Sequence, residues 1–431
     1  MTGQPVSPLV PIGEVLRLTL DATTPLEPVV VELDESLGCV LAEMVIATED
    51  VPPFSNSSMD GYAVRSSDTL GAPVVLRVLD TALAGRPSSL LVGAGEAIRI
   101  MTGAVMPSGA DAVCMVERTH TDDRGATVVI DTTVEPGQFV RSPGDDLRSG
   151  SLVFDEGAVL GPAHVGVLAS LGHSTVRVHP RPRVGVLSTG DELIEGPLPL
   201  APGQIRDSNR HALLGLVRSS GFVGVDLGIV PDDRDQLTAS LHQAGASCDA
   251  VLTSGGVSVG DADLVKVVLE ELCGGTMRSL SVAVRPAKPF AFGRLAATST
   301  PVFGLPGNPV SSLVSFELFV RPALRQMAGH ASRFRPVIAA IADEPLERAS
   351  DAKVHVVSVR AHIGEDGRVH VSVAGVQASH VLSSMACANA LALLPDGHGV
   401  AVGSEVETLI LDADSLGGVG AIVTVPRAVS A

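Results

Sequence analysis

The chain has 431 residues and carries 30 Lys and Arg against 48 Asp and Glu, a formal charge of −18. With 45% hydrophobic and 18% charged residues it is not a disordered chain, and its length predicts about three domains. An acidic chain with ten Phe, one Tyr and no Trp lacks the basic surface and stacking platforms of a general nucleic-acid binder.

No apolar run is long enough to span a bilayer, and MTGQPVSPLVPIG lacks a basic start followed by an apolar run. A cytoplasmic protein without a membrane segment is expected. Cys39, Cys114, Cys248, Cys273 and Cys387 form no CxxC pair, so buried reduced thiols are expected rather than disulfides or zinc.

In chain order, Ile12, Val15, Leu16 and Leu20 predict a helix over residues 8–20. Residues 28–50 read as strand at Val29–Val31 and as helix at Leu37–Ala42. From about 51 to 143, short β-branched runs (Val74–Val78, Ile98–Met101, Ala112–Val116, Thr127–Ile130) alternate with Gly, Pro and Asp clusters, the pattern of a small all-β module. A helix is predicted over Pro162–Leu171, stopped by Gly172.

From Arg183 the rhythm becomes strand, loop, helix. Strands are predicted at Val184–Leu187, Phe222–Val230, Ala250–Leu252 and Val302–Leu305. The helices between them follow Ser208 or Asn209, Asp232 and Asp263, and the last has Asn308 as cap and Pro309 as first residue. This alternation predicts a doubly wound α/β domain, a parallel sheet with helices on both faces. From Pro336 to the end, β-type runs return. Residues 182–330 hold 12 Lys/Arg and 14 Asp/Glu, while the remainder holds 18 and 34. The α/β module is thus spared the acidic excess, as an anionic ligand would require, although chance gives the same count.

Ligands of open α/β sheets bind beyond the carboxyl ends of the strands. Three polar or Gly-rich loops follow predicted strands: Ser188–Glu192, Thr253–Asp261 and Gly304–Pro309. One such loop alone reads as a chain reversal; three at one edge point to a phosphate or nucleotide site. The acids Asp191, Glu192, Asp232, Asp233, Asp261 and Asp263 are ordinary capping residues singly, and clustered near a phosphate they suit Mg²⁺. Arg285, Lys288 and Arg294 lie in the Pro-stiffened RPAKPFAFGR, either as fixed cationic donors or as a solvated charge cluster. Pro52–Val64, with the only Tyr, reads as a long functional loop. Arg99–Gly103 and Gly144–Asp146 read, on their own, as β-domain turns. There is no GxGxxG, GxxxxGK[ST] or GxSxG pattern.

The stretches PPFSNSSMDGYAVR, RIMTGAVMPSGADAV, VGVLSTGDEL with GQIRDSN, DAVLTSGGVSVGDAD, KPFAFG and GLPGNPVSSL span residues 52–313 in one order, and SSMACANALALLP adds residues 383–395. Together they resemble the molybdopterin molybdenumtransferases, the MoeA family, which includes the C-terminal domain of gephyrin. The resemblance implies a multidomain α/β plus β protein in four parts. These are a discontinuous helical domain (1–50 and 144–181), an inserted β domain (51–143), a molybdopterin-adenylyltransferase-like α/β domain (182–330) and a C-terminal β-barrel-like domain (331–431). It also implies a homodimer with a site shared between subunits. The implied reaction inserts molybdenum from molybdate into adenylylated molybdopterin and releases AMP, with Mg²⁺. Tungstate, equal in shape and charge, satisfies the same pattern.

By this resemblance Asp60, Thr102, Asp146, Glu192, Asp232 and Asp263 match the family's polar catalytic residues. Asp60, Glu192 and Asp263 are the expected metal ligands. Thr189, Gly190, Ser254, Gly255, Gly256, Ser258, Arg285, Lys288, Pro306 and Pro309 are expected to bind the substrates. Three departures stand out. Lys-Pro-Gly-Lys of the family is Arg285-Pro286-Ala287-Lys288 here, a further site lysine aligns with Ser281, and Gly-Arg…Phe-x-Arg is replaced by Ala352–Ser358. If Arg285 and Lys353 compensate, the anion site persists. Otherwise a gephyrin-like scaffold that docks a peptide of a membrane receptor or of a cytoskeletal or cell-division protein gains weight. A third reading is the adenylyltransferase itself, which is also a candidate partner.

Overall fold

The computed structural model describes residues 8–122, 124–255 and 264–417. They fall into two compact units, one drawn from Val30–Leu37 and Leu41–Val178, the other from Met1–Val29, Gly38–Val40 and His179–Ala431.

The first unit is built on a six-stranded sheet in the order Ala112–Met115, Gly61–Val64, Glu96–Ile100, Val74–Ala82, Thr127–Ile130, Thr119–Thr121. Alternation along the strands buries both faces. Tyr62, Val64, Leu76 and Cys114 pack on one side, and Ala63, Ile98, Ile100 and Val113 on the other. The segment expected to be a long loop, Pro52–Val64, therefore ends in a central strand. Gly61 sits between Ile100 and Met115, where a Cβ would collide with the Cys114 carbonyl. That glycine and the polar run before it hid the strand. The helix expected at Leu37–Ala42 is absent too. Leu33–Glu35 is a single 3₁₀ turn and Val40–Leu41 a short strand.

In the second unit the α/β domain comprises β1 (Arg183–Thr189), α1 (Asn209–Ser219), β2 (Val223–Val230), α2 (Arg234–Ser247), β3 (Ala250–Ser254), α3 (Leu264–Leu272), β4 (Arg278–Ser281), β5 (Pro289–Arg294), β6 (Pro301–Leu305) and α4 (Pro309–Ser315). The sheet order is β2-β1-β3-β6-β5-β4. Strands β2, β1, β3 and β6 are parallel, as expected. Two further strands, β5 and β4, were not predicted, and β5 runs antiparallel to both β6 and β4. Strand β5 lies within RPAKPFAFGR. Its Pro289 is tolerated because it is the first strand residue, while Phe290 and Phe292 are buried.

Helices cover both faces. Leu213, Val217 and Val314 pack on Val184, Val186 and Phe303; Leu237, Leu241, Val265 and Val268 pack on Leu187, Val251 and Val302. Burial on both sides explains why β1 and β3 read as continuous apolar runs. The N-terminal helix Ile12–Asp21 belongs to this unit and buries Val15 in the first of these cores. Helix α4 continues through a π turn at Phe316–Val320 into Arg321–Met327. Pro322 lacks the N–H that an α ladder would need there.

The C-terminal part closes a five-stranded barrel. Val354–Ile363 pairs with Val369–Val373 and with Ala390–Leu394, and Val337–Ala342 and Glu405–Ile410 complete the ring. The expected β-barrel is present. The strand Ala390–Leu394, which runs through an Ala/Leu segment, was not anticipated. A two-residue strand, Val284–Arg285, pairs parallel with the start of Val354–Ile363 and ties the α/β domain to the barrel.

Candidate functional site

The parallel strands bring the expected loops to one edge. Ser188 is in register with Ser254, Ser254 with Leu305, and Thr189 with Val230. The loops at Gly190, Pro231, Gly255 and Pro306 therefore emerge side by side. Their packing demands small residues. Gly255 has φ +94, donates its N–H to Leu305 O at 3.1 Å, and would place a Cβ 3.3 Å from Thr189 O. Gly190, at φ +140, leaves room for the Glu192 carboxylate.

A polar network behind this edge fixes the loops. Asn209 donates from Nδ2 to Ser254 Oγ (2.8 Å) and to Gly307 O (2.7 Å), so one buried amide bridges two of them. Asp207 accepts from Ser188 Oγ (3.1 Å) and from the Arg210 N–H (3.2 Å), which caps α1. The cap is thus Asp207, and Ser208 makes no side-chain cap bond. Arg210, 1% exposed, reaches Asp207 Oδ2 at 2.9 Å, Asp226 Oδ1, and Glu195 Oε1 in a 2.7 Å ion pair. Burial opposes its charge, but hydrogen bonds to Glu195, Asp226 and Asp207 outweigh that and hold its pKa above the ordinary value. The motif GQIRDSN signalled this region, yet nothing in the spacing assigned Asp207, Asn209 and Arg210 to a shared network. Asn209 Oδ1 and Thr253 Oγ1 remain buried without a hydrogen-bond partner, as acceptor sites beside the loops.

Glu192 and Asp232 are exposed on adjacent loops, and the Asp232 N–H donates to Asp191 Oδ1 at 3.1 Å. Thr189 and Ser254 are buried. Asp233 caps α2 by accepting from Gln236 N (2.9 Å), the structural role weighed for these acids. Gly256, Ser258, Asp261 and Asp263 lie outside the described residues.

In the first unit, two expected residues that lie 42 positions apart meet. Thr102 donates to Asp60 Oδ1 from its N–H (2.7 Å) and its hydroxyl (2.8 Å). These bonds, backbone first, with a smaller contribution from Arg99, hold the Asp60 carboxyl below the ordinary range. Asp146 is exposed, and its N–H donates to Val51 O at 3.0 Å. Among the described residues no group of three or more His, Cys, Asp and Glu is arranged to hold a metal ion. Cys39, Cys114, Cys248 and Cys273 are buried, but Cys387 is exposed, contrary to expectation.

Continuing from Asn308, a cleft of about 800 Å³ opens between the α/β domain and the barrel. Arg285, Lys288, Arg348, Lys353, His355 and His380 line it. Its cations are not equivalent. Lys353 Nζ lies 2.7 Å from Asp351 Oδ2 and is already neutralised, so it does not compensate freely for a missing family cation. Arg348, its side chain 0% exposed, pairs with Asp351 and Asp396. Arg285 is exposed at the rim. Ala287, at φ +82, occupies a left-handed conformation that glycine adopts without strain, which accounts for the family's Gly there.

The arrangement defines a class: an α/β domain with a loop-lined ligand edge, joined to a barrel across a cationic cleft, on a chain that also carries a β module. Comparison with known proteins narrows it. Residues 10–172 match the MoeA N-terminal region (domain I and II), residues 185–326 a probable molybdopterin binding domain, and residues 344–411 the MoeA C-terminal region (domain IV). The molybdopterin molybdenumtransferase of Haemophilus influenzae is 38% identical over 88% of this chain and 92% of its own. Molybdopterin molybdenumtransferase 2 of Mycobacterium tuberculosis is 38% identical over 92% and 98%. The crystal structure of a molybdopterin biosynthesis MoeA protein from Pyrococcus horikoshii superimposes with a TM-score of 0.75, at 31% identity over 93% of this chain and all of that one. The chain belongs to the MoeA family.

Among the described residues no helix is long and apolar enough to cross a membrane.

Proposed function

We propose that this protein is a molybdopterin molybdenumtransferase that takes adenylylated molybdopterin and molybdate, places molybdenum on the dithiolene and releases AMP. The observation that carries the reading is the continuity of two sites. The loops at Thr189–Gly190, Ser254–Gly255 and Pro306–Gly307 share one edge, and the cleft with Arg285 and Lys288 begins at Asn308. The first suits a nucleotide and pterin phosphate, held by loop N–H groups; the second suits an oxyanion.

In this reading the amides around Gly190 bind phosphate oxygens, and Asn209 keeps the Ser254 and Gly307 loops in register. Pro306 and Pro309 stiffen the third loop. Arg285 and Lys288 hold molybdate. The exposed carboxylates Glu192 and Asp232 form a hard oxygen donor set of the kind Mg²⁺ takes together with substrate phosphates. Bound there, Mg²⁺ would supply charge neutralisation for the phosphate leaving group. Asp60, Thr102, Asp146 and Asp263 complete the proposed polar set, and Asp60 and Asp263 are the further proposed ligands. The acting form is a homodimer. Neither the scaffold nor the adenylyltransferase reading gains an observation from the relatives described above, which are named molybdopterin molybdenumtransferases.

The test is AMP release from adenylylated molybdopterin with molybdate and Mg²⁺. Turnover that falls on replacing Arg285 or Lys288 supports the assignment. A folded protein that releases no AMP, under conditions where the Haemophilus influenzae relative does, overturns it.

A further inference from the structure

One titratable side chain in the cationic cleft is placed unlike the rest. His355 lines the cleft, with its side chain 13% exposed. It is the register partner of Arg285 across the parallel pair of Val284–Arg285 with Val354–Ile363, so the two side chains are neighbours. From behind, its Nε2 lies 3.0 Å from Asp351 Oδ1. Asp351 itself does not line the cleft.

Charged groups face this imidazole from each element packed against it. From its own strand and the turn before it come Asp351 and Lys353, joined at 2.7 Å. The preceding segment supplies Glu347 at the cleft and Arg348, whose Nη2 lies 3.0 Å from Asp351 Oδ1 and 2.7 Å from Asp396 Oδ1. The Val284–Arg285 strand supplies Arg285, and the segment after it Lys288. On the other side the register partner is the apolar Leu394, with Asp396 beyond it. His380 lies on the facing loop. The Asp351 carboxylate is thus shared by Arg348, Lys353 and His355, and its pKa is held down to about 2, chiefly by Lys353.

We propose that His355 couples oxyanion binding in this cleft to uptake of a proton, so that molybdate binds more tightly as pH falls. The inference rests on the reading of the cleft as the oxyanion site. In the free protein, burial, then Arg348 and Arg285, outweigh the Asp351 hydrogen bond and hold the His355 pKa below its ordinary value. The ring is therefore neutral near neutral pH. A dianion seated between Arg285 and Lys288 cancels the repulsion from Arg285 and adds negative charge beside the ring. Both changes favour the imidazolium, which then donates one N–H to Asp351 and turns its charge toward the bound anion.

The sign follows from linkage. The pKa of His355 is higher in the complex than in the free protein. The added affinity is fully present below the free value and is lost as pH rises through the value in the complex. A rise of about one unit on binding makes the affinity about tenfold greater on the acid side. This separates the cleft from one built only of Arg and Lys, whose affinity would be flat across the range.

The experiment is calorimetric titration of the whole protein with inorganic molybdate between about pH 5 and about pH 8, in two buffers of different ionisation enthalpy. The expected result is net proton uptake and affinity that falls about tenfold toward the alkaline end. His355→Gln should abolish the uptake and flatten the profile. Should the glutamine variant fail to fold, the imidazole C–H resonance of His355 in the unaltered protein gives the same answer, since its titration must move to higher pH with molybdate. Binding without proton uptake, uptake retained in His355→Gln, or a resonance that does not move overturns the proposal and leaves the oxyanion reading standing. No binding at any pH overturns both.

Discussion

Replacing Arg210 with leucine should destabilise the α/β domain by about 3 kcal/mol. The figure follows from the exposure of each partner. Arg210 and Asp207 both have side chains 1% exposed, whereas Asp226 and Glu195 are 44% and 54% exposed. Water solvates the latter two once the guanidinium is gone, so each pair contributes at most about 1 kcal/mol. Asp207 has no such recourse, and breaking a buried pair typically costs about 3–5 kcal/mol. The lower end applies because Asp207 keeps the Ser188 hydroxyl and the residue-210 N–H as donors. Such a loss shifts the local opening equilibrium about 150-fold, as native-state hydrogen exchange of the amides of β1 and α1 would report. Exchange is preferred to a melting curve because a chain with two units need not unfold in one step. Adding Asp207→Asn to Arg210→Leu should recover part of the loss, since the stranded charge is removed. A loss below about 1 kcal/mol in the single variant would refute the reasoning, as would a double variant no better than the single one.

Other expectations follow from the same geometry. Asp60→Asn and Glu192→Gln should each lower AMP release at least about tenfold with unchanged thermal midpoint, since both carboxylates are solvent-facing; unaltered release from both would end the proposed polar set. Gly255→Ala should cost about 1 kcal/mol through its left-handed φ of +94 and raise KM for the nucleotide substrate, which melting and steady-state kinetics would show. His370 is flanked by Asp343 Oδ1 at 2.7 Å and Asp366 Oδ1 at 3.1 Å, and Asp343 leads in raising its pKa. Its NMR titration should therefore fall above the ordinary histidine value, and its contribution to stability should be complete below that ordinary value and lost as pH rises through the folded one. Sedimentation should give about twice the chain mass, as for a closed two-fold homodimer; a monomer at micromolar concentration would contradict the shared site.

Much of the architecture was legible in the sequence because the relevant signals are local. Cap residues and the strand, loop, helix rhythm marked α1, α2 and α3, and continuous apolar runs marked β1, β3 and β6, since both are written in neighbouring residues. The Gly-rich loops were likewise visible, because left-handed and closely packed backbone at Gly190 and Gly255 excludes other residues. The strand Gly61–Val64 was hidden, as its pairing partners lie some 40 and 50 residues away and its own pattern is small and polar.

The site divides in the same way. The sequence by itself supplied the residue types and the motif order that mark this family, and it placed Asp60, Thr102, Glu192 and Asp232 in loops. It could not pair Asp60 with Thr102, bridge Ser254 to Gly307 through Asn209, or set His355 beside Arg285. Those contacts join residues 42, 98 and 70 positions apart, and neither composition nor periodicity encodes which loop meets which. Nor could it show that Lys353 is spent on Asp351. A cation's worth to an anion depends on what already faces it, and only the packed chain decides that.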